Sequence, residues 1–463
     1  MKFKIVSKKI LEYKVLTIIL VSSLQLSSQN TLWAWGSNFY NQLGDGTNVN
    51  KNTPTSIGTS TNWKNVASGG SHTLAIKTNG TLWAWGSNFL SQLGDSTTVN
   101  RSIPTQIGMA NNWSSVAVGV YHSLAIKTDG TLWGWGKNDA GQLGDGTTFD
   151  KIVPTQIGVD TNWLQIAAGY GHTLAIKTDG TLWAWGANLV GQLGDNTTIS
   201  KSVPVQVGTG NNWSSIAVGG YHSMAIKTDS SLWGWGQNSF GQVGDGTTLN
   251  KIIPTQIGTA NNWSKIATGG VHTLAIKTNG TLWAWGINAS GQLGDGTTVK
   301  QIIPKQIGTA GNWSQICADD FHNLAIKTDG TLWAWGENTF GQLGDGSLVG
   351  KIIPTQIGSA TNWSHIATGE SHSLAFQGAT SSIYTNEVAK MFQVYPNPCN
   401  GICTLDYTTA QPVTLKILNS QGQMVYESLT ADNTIDLINL PVGIYTILIS
   451  TNNALYAEKL LKQ

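Results

Sequence analysis

Charge is scarce in this chain. Asp, Glu, Lys and Arg make up 11% of its 463 residues, under half of the roughly 25% found in an average soluble domain, and the net charge is only +1. No basic stripe is left over for a nucleic-acid backbone or an anionic membrane surface, so nucleic acid is excluded as a partner. Cysteine is nearly absent as well. Three cysteines cannot build a disulfide framework in a chain of this length. Cys317 stands where other copies of the unit described below carry Ala67, Ala117 or Ala167, the place of a small buried side chain. Long apolar runs are missing too. The run Val15–Leu24 falls short of the about 20 residues that a membrane span needs. It follows Lys2, Lys4, Lys8, Lys9 and Lys14 and gives way to Ser27-Ser28. That order, basic then apolar then small and polar, is the order of a secretory signal peptide over residues 1–28, expected to be removed from a mature chain that has no transmembrane segment, with an uncleaved anchor as the alternative.

Catalytic signatures are absent from the same sequence. It holds no G-x-S-x-G elbow, phosphate loop, H-E-x-x-H pair or nucleophilic Cys–His arrangement. We therefore expect no enzyme, no catalytic residue and no cofactor.

What is present is repetition. A unit of 50 residues, seen well from Asn112 to Gly136, recurs seven times without insertion or deletion and places Trp63, Trp113, Trp163, Trp213, Trp263, Trp313 and Trp363 on one register. All 21 tryptophans belong to it, as do His72, His122, His172, His222, His272, His322 and His372; only His365 stands outside. Such an array buries apolar surface only between neighbouring copies and counts as one domain.

Each copy contains four strand-like pieces, in the second full copy Trp113–Val118, His122–Lys127, Thr131–Trp135 and Ile152–Ile157. Residues of the second piece alternate with the period of two that a strand requires. Asp129-Gly130 between the second and third pieces suits a tight hairpin turn. Asp229-Ser230 is the one departure from that dipeptide. Pro154 removes a backbone donor and confines the fourth piece to an outer edge. The fold class is therefore all-β, a seven-bladed β-propeller over residues 29–378. The array begins in mid-sheet at Thr31–Gly36 and ends after Trp363–Thr368 and His372–Phe376. These incomplete sets are complementary, so the C-terminal pair should supply the inner strands, and the N-terminal strand with Thr53–Ile57 the outer strands, of one shared blade.

The pattern W-G-x-N-x-x-G-Q-L-G-D-G-T at Trp135–Thr147, then a proline, then I-A-x-G-x-x-H-S/T-L-A-I-K-T-D-G, resembles the repeat of the regulator of chromosome condensation family over residues 31–378. The resemblance implies a seven-bladed propeller. It implies less about activity, because that family includes a nucleotide exchange factor for a nuclear GTPase and secreted bacterial inhibitors of β-lactamases.

Residues 379–391 read as a polar linker, and composition changes from Phe392 onward. Short strand candidates follow at Thr414–Leu418, Met424–Glu427, Thr434–Leu437 and Ile444–Ser450. Tyr395, Pro396, Asn397 and Pro398, then Gly401, then Gly443 and Tyr445 within Leu440–Tyr445, then Lys459 and Lys462 at the end, resemble the C-terminal sorting domain of type IX secretion substrates over residues 392–463. That resemblance implies a small C-terminal β-sandwich read by an outer-membrane export machine as partner. It also implies a secreted or cell-surface location reached through the periplasm and across the outer membrane. Cys399 and Cys403 are not part of its pattern; an oxidising exterior permits a bridge between them, and a free pair fits equally well.

The seven register histidines invite a metal ring. Equivalent positions on neighbouring blades sit about a sheet-packing distance of 10 Å apart, too far to share one ion, so no metal site is expected and hydrogen bonding at the head of the second strand is. Asp45, Asp95, Asp145, Asp195, Asp245, Asp295 and Asp345 lack the spacing of a calcium loop and read as turn and cap residues. Asp319 and Asp320, as neighbours along a strand, point opposite ways unless their loop turns them together.

Variation between copies carries the functional signal. The second connection of each blade is the near-constant Thr-Asp/Asn-Gly turn, whereas the first and third, which open together on the other face, differ from copy to copy. Aromatics and acids collect there: Tyr40, Tyr121, Tyr170, Tyr221, Phe240, Asp320, Phe321, Phe340 and Glu370. We expect this face to bind an extracellular protein or glycan. A passive surface-layer or adhesive module is the alternative reading, with a secreted enzyme or inhibitor behind it. The export signals speak against nucleotide exchange on a nuclear GTPase.

Overall fold

The computed structural model describes residues 30–378 and, within 392–462, all but 396, 398, 401, 408–412, 420–422, 431–433 and 451–454. The signal-peptide and linker expectations, and Pro396, Pro398 and Gly401 of the sorting pattern, lie outside the described residues. The structure groups into two compact units that divide between positions 379 and 380.

The first unit is seven four-stranded antiparallel sheets, each built from consecutive strands except one. In the second full copy the strands run Trp113–Val118, His122–Lys127, Leu132–Gly136 and Lys151–Gln156, inner to outer. The third strand starts one residue later than expected because Thr131 is spent on the turn. Its N–H and hydroxyl both donate to Asp129 Oδ1, and its Oγ1 accepts from Trp133 Nε1 at 2.9 Å. Ser230, in the one turn without glycine, adopts the same left-handed conformation, φ 63°. Pro154 falls where the ladder to the third strand is interrupted, between Lys151 and Thr155, so its missing N–H costs no ladder bond.

The apolar core lies between blades. Leu74, Ile76, Leu82, Leu93 and Ile107 of one copy pack with Trp113, Val116, Ala125 and Trp135 of the next, and the same grouping recurs around the ring. Within a blade, Trp113 meets Trp133 and Trp135 edge-on at 5.8 and 6.3 Å, and Lys127 Nζ lies 3.7 Å above the Trp133 ring. The three tryptophans of each unit are thus scaffold.

The exceptional sheet closes the ring as the sequence required. Asn30–Gly36 pairs along its length with His372–Gly378, from Asn30 opposite Gly378 to Gly36 opposite His372. Lys51–Ser56 covers the outside and Trp363–Gly369 the inside.

The turn aspartates act as caps, each held by an asparagine and a threonine or serine and paired with a cation. Asp145 Oδ1 accepts from Asn138 Nδ2 and Thr147 N–H, while Lys151 Nζ lies 2.8 Å from Oδ2. Burial raises the Asp145 carboxyl, but the Lys151, Thr147 and Asn138 hydrogen bonds outweigh it and leave it below the usual range. One blade solves this differently. Gln301 stands where other copies have Lys or Arg, and Lys305, replacing a threonine or valine, reaches Asp295 at 2.7 Å. Lys305→Thr should therefore destabilise the propeller by about 1–2 kcal/mol by leaving the Asp295 carboxylate buried without its cation. Adding Gln301→Lys should restore the wild-type urea midpoint; a double variant no better than the single would show that the two positions do not compensate.

The second unit contains a three-stranded sheet ordered Phe392–Tyr395, Ile402–Tyr407, Thr434–Asp436, and a four-stranded sheet ordered Met424–Thr430, Val413–Leu418, Gly443–Ser450, Leu455–Lys462. Three of these strands, Phe392–Tyr395, Ile402–Tyr407 and Leu455–Lys462, escaped the sequence reading. Leu415, Ile417, Ile435, Leu437, Tyr445, Ile447 and Leu460 form the core together with both cysteines.

Candidate partner-binding face

Hydrogen bonds place the first and third connections on one face. The residue after the third strand donates its N–H to the last residue of the first connection in every blade, as Lys137 to Tyr121 O at 3.0 Å and Glu337 to Phe321 O at 2.9 Å. Beneath these loops the seven register histidines form a belt. His72 Nε2 lies 3.0 Å from Ser123 Oγ of the next blade, and the Ser123 hydroxyl donates to Gln92 O at 2.7 Å. The hydroxyl proton is committed, so the histidine must be the donor through Nε2–H, which leaves Nδ1 bare. The Nδ1 atoms of all seven are indeed buried without a partner. Gln92 O also receives Trp135 Nε1 at 2.9 Å, so each blade is tied to the next through one carbonyl. Burial pushes His72 down to about 3, with the neighbouring His122 and His372 adding to the effect, and it pushes His122 to about 4. Neutral imidazoles thus serve this face as hydrogen-bond donors that link neighbouring blades.

At the axis the first connections surround a cavity of about 120 Å³. Glycine is the commonest residue in its wall, for a steric reason. A Cβ at Gly119 would stand 2.3 Å from His122 Cε1 and 2.4 Å from Gly169 O, and at Gly269 it would stand 2.6 Å from Asp319 O. Six blades obey this restriction with Gly69, Gly119, Gly169, Gly219, Gly269 and Gly369; the seventh places Asp319 there.

Asp319 does not act alone. Its Oδ1 accepts the Asp320 N–H at 2.7 Å, Asp319 lines the cavity, and the strand geometry that would have set the pair on opposite faces ends at Ala318. Tyr170, three blades away, reaches across the opening and donates its hydroxyl to Asp320 Oδ1. The two blades it crosses carry Gly220 and Gly270, where a Cβ would lie 3.1 Å from Tyr170 Cε2 and 2.9 Å from its Oη. Burial and then the Asp320 charge raise the Asp319 carboxyl well above the carboxylate range. Burial also raises Asp320, against the Tyr170 hydrogen bond, and raises Glu370, which Asp320 pushes further. Burial and Asp320 hold Tyr170 as the neutral phenol. No lysine or arginine forms an ion pair with these acids among the described residues.

The other expected residues spread around this mouth. Tyr221 is 43% exposed and meets Tyr170 edge-on at 5.3 Å. Tyr121 lies under Lys137 Nζ at 5.6 Å, and Phe321 and Phe240 are partly open to solvent. Tyr40 and Phe340 belong to an arc that the sequence reading did not single out. Phe340 meets Phe39 at 5.8 Å, and Tyr40, next in the chain, meets Phe89 at 5.8 Å. Phe39 and Phe89 are each 61% exposed. Comparing third connections position by position shows two adjacent loops both carrying phenylalanine, Phe39 and Phe89, which is the signal that would have found the arc. Burial pushes the Cys317 thiol up to about 12.

Residues 29–76, 79–126 and 129–176 match the regulator of chromosome condensation (RCC1) repeat, and residues 159–385 match the RCC1-like domain. Residues 393–463 match the secretion system C-terminal sorting domain. No curated protein matches the chain. Among solved structures, human WBSCR16 superposes with a TM-score of 0.69 at 22% identity, covering 76% of this chain and 99% of that one. Yeast RCC1 (Prp20), solved with Kap60 bound to it, gives 0.70 at 21% identity over 77% and 90% of the two chains. Prp20p from Saccharomyces cerevisiae, described with its binding to Gsp1p and histones, gives 0.68 at 22% identity over 77% and 93%. At these identities the likeness is one of fold. With its seven tryptophan-rich blades, its shared closing sheet and its tail, the chain belongs to the RCC1-repeat propellers and carries a type IX C-terminal sorting domain that sends it through the periplasm and outer membrane to the cell surface or medium.

Proposed function

We propose that the exported propeller is a non-catalytic module that binds an extracellular protein through the face of first and third connections, seating a basic side chain of that partner at the axial mouth. The observation that carries this reading is the pairing of Tyr170 with Asp320 beside Asp319, at the one blade that departs from the glycine its six equivalents keep. A position that six blades keep as glycine gains nothing structural from a carboxyl whose burial disfavours its charge. An incoming cation would restore that charge and gain from the low dielectric of the mouth. Tyr40, Tyr121, Tyr221, Phe240, Phe321, Phe340 and Glu370 form the surrounding contact area, aromatic-rich as protein interfaces are.

Affinity capture from surface and medium fractions tests this. The combined variant Tyr121→Ala, Tyr170→Ala, Tyr221→Ala and Phe321→Ala should bind the captured protein at least about 100-fold more weakly, as loss of several aromatic anchors implies. Its melting temperature should stay near wild type. Unchanged affinity rejects this face, and capture that survives protease treatment of the fraction but not periodate makes the partner a glycan.

A further inference from the structure

Cys399 and Cys403, which the sequence left open, are joined in a disulfide. Its position gives it a specific relation to the sorting signal. Cys399 forms a bridge with Lys462 of the last strand and donates its N–H to Leu461 O at 2.8 Å. Two residues earlier, Asn397 Oδ1 accepts the Leu461 N–H at 3.0 Å. Lys462 Nζ in turn donates to the carbonyls of Ile438 and Leu440. Cys403 lies in the other sheet, opposite Ile435. The bridge therefore ties the segment that grips the terminal strand to the smaller sheet. Both cysteines are fully buried in the core between the sheets. No oxidant reaches such sulfurs once the unit has closed, so the bond must form beforehand.

We propose that the Cys399–Cys403 pair is an oxidation site on which a periplasmic thiol–disulfide oxidoreductase acts before the terminal strand is presented for export. The inference rests on the sorting assignment and is independent of what the propeller binds. A thiolate of the pair attacks the enzyme's disulfide to give a mixed disulfide. The second thiolate then displaces the enzyme, so the Cys399–Cys403 bond forms as the enzyme's disulfide becomes a dithiol. Two electrons pass to the enzyme, and the two thiol protons end on its sulfurs or in solvent. A unit this small cannot count on its apolar core alone, and a bridge is the usual supplement. The third cysteine of the chain, Cys317, lies in the propeller and offers no competing pairing within the sorting unit.

A pulse-chase of the full chain in a type IX-secreting host decides the matter, with periplasmic and surface fractions quenched in a maleimide under denaturing conditions. Wild-type chain should lose reactivity at Cys399 and Cys403 in the periplasm before any propeller reaches the surface. The paired variant Cys399→Ala and Cys403→Ala should accumulate in the periplasm, its surface fraction down about tenfold, the shift in folding equilibrium expected for a lost staple in a marginal unit. Sublethal reductant should slow wild-type export and leave the variant's residual export unchanged. Wild-type chain exported with both thiols still reactive overturns the proposal, and so does a variant exported at the wild-type rate.

Discussion

Lowering the pH from about 7.5 to about 5 is expected to destabilise the propeller by on the order of 10 kcal/mol, far above the carboxylate range in which acid unfolding ordinarily sets in. The cause is the belt of seven buried histidines. Burial pushes each to about 3 or 4 from 6.5. The folded value lies below the unfolded one, so the unfolded chain binds more protons between them. Stability is therefore full above about pH 6.5 and falls as pH drops from there toward the folded values. Each histidine contributes about 2 kcal/mol at pH 5 by this linkage, and seven together match the whole stability of a typical domain. Asp319, Asp320 and Glu370 oppose the trend, since their raised values mean that acidification adds stability through them, but they are three against seven. Turn aspartates such as Asp145, held low, matter only below about pH 4. Urea midpoints measured between pH 8 and pH 4.5 check this. A flat profile, or histidine resonances of the folded protein titrating near 6.5, would rule the explanation out.

Removing residues 30–58 should cost nearly as much. These residues supply the two outer strands of the shared sheet, and Leu32, Trp35, Leu43 and Ile57 among them are at most 2% exposed. Burying four such side chains contributes about 8 kcal/mol, before the loss of the ladder to His372–Gly378 is counted. Trp35 also packs against Trp363 at 6.3 Å and donates to Gln342 O of the neighbouring blade at 2.9 Å. A chain beginning at residue 59 should therefore lack a sharp thermal transition and associate through the exposed edge of His372–Gly378. Adding a peptide of residues 30–58 should restore the transition. A truncated monomer melting like the wild type would show that the ring does not depend on this closure.

Both results follow from features of unequal legibility. The closure could be read from the chain, because Thr31–Gly36 and His372–Phe376 are fragments of a known period and only one pairing completes them. Blade count, hairpin turns and the edge position of Pro154 were legible for the same reason: each follows from a short pattern that recurs around the ring. Three strands of the sorting unit were not, because a region without repeats offers a single short apolar run for each, with nothing to check it against. The histidines were legible as structural, but their tautomer was not, since it depends on a polar side chain of the next blade, such as Ser123, whose own proton returns to a carbonyl of the histidine's blade.

The candidate face divides along the same line. By itself the sequence determined which connections vary and that aromatics and acids gather in them, because both statements need only the register of the repeat. Tertiary structure alone decided which of these side chains meet. Tyr170 and Asp320 are 150 residues apart, and they touch because ring closure brings blades three apart to opposite sides of one narrow mouth and because Gly220 and Gly270 leave the path between them clear. The Cys399–Cys403 bridge was undecided for a related reason: spacing permits a bond, but only the fold of two sheets around both sulfurs brings them together and encloses them.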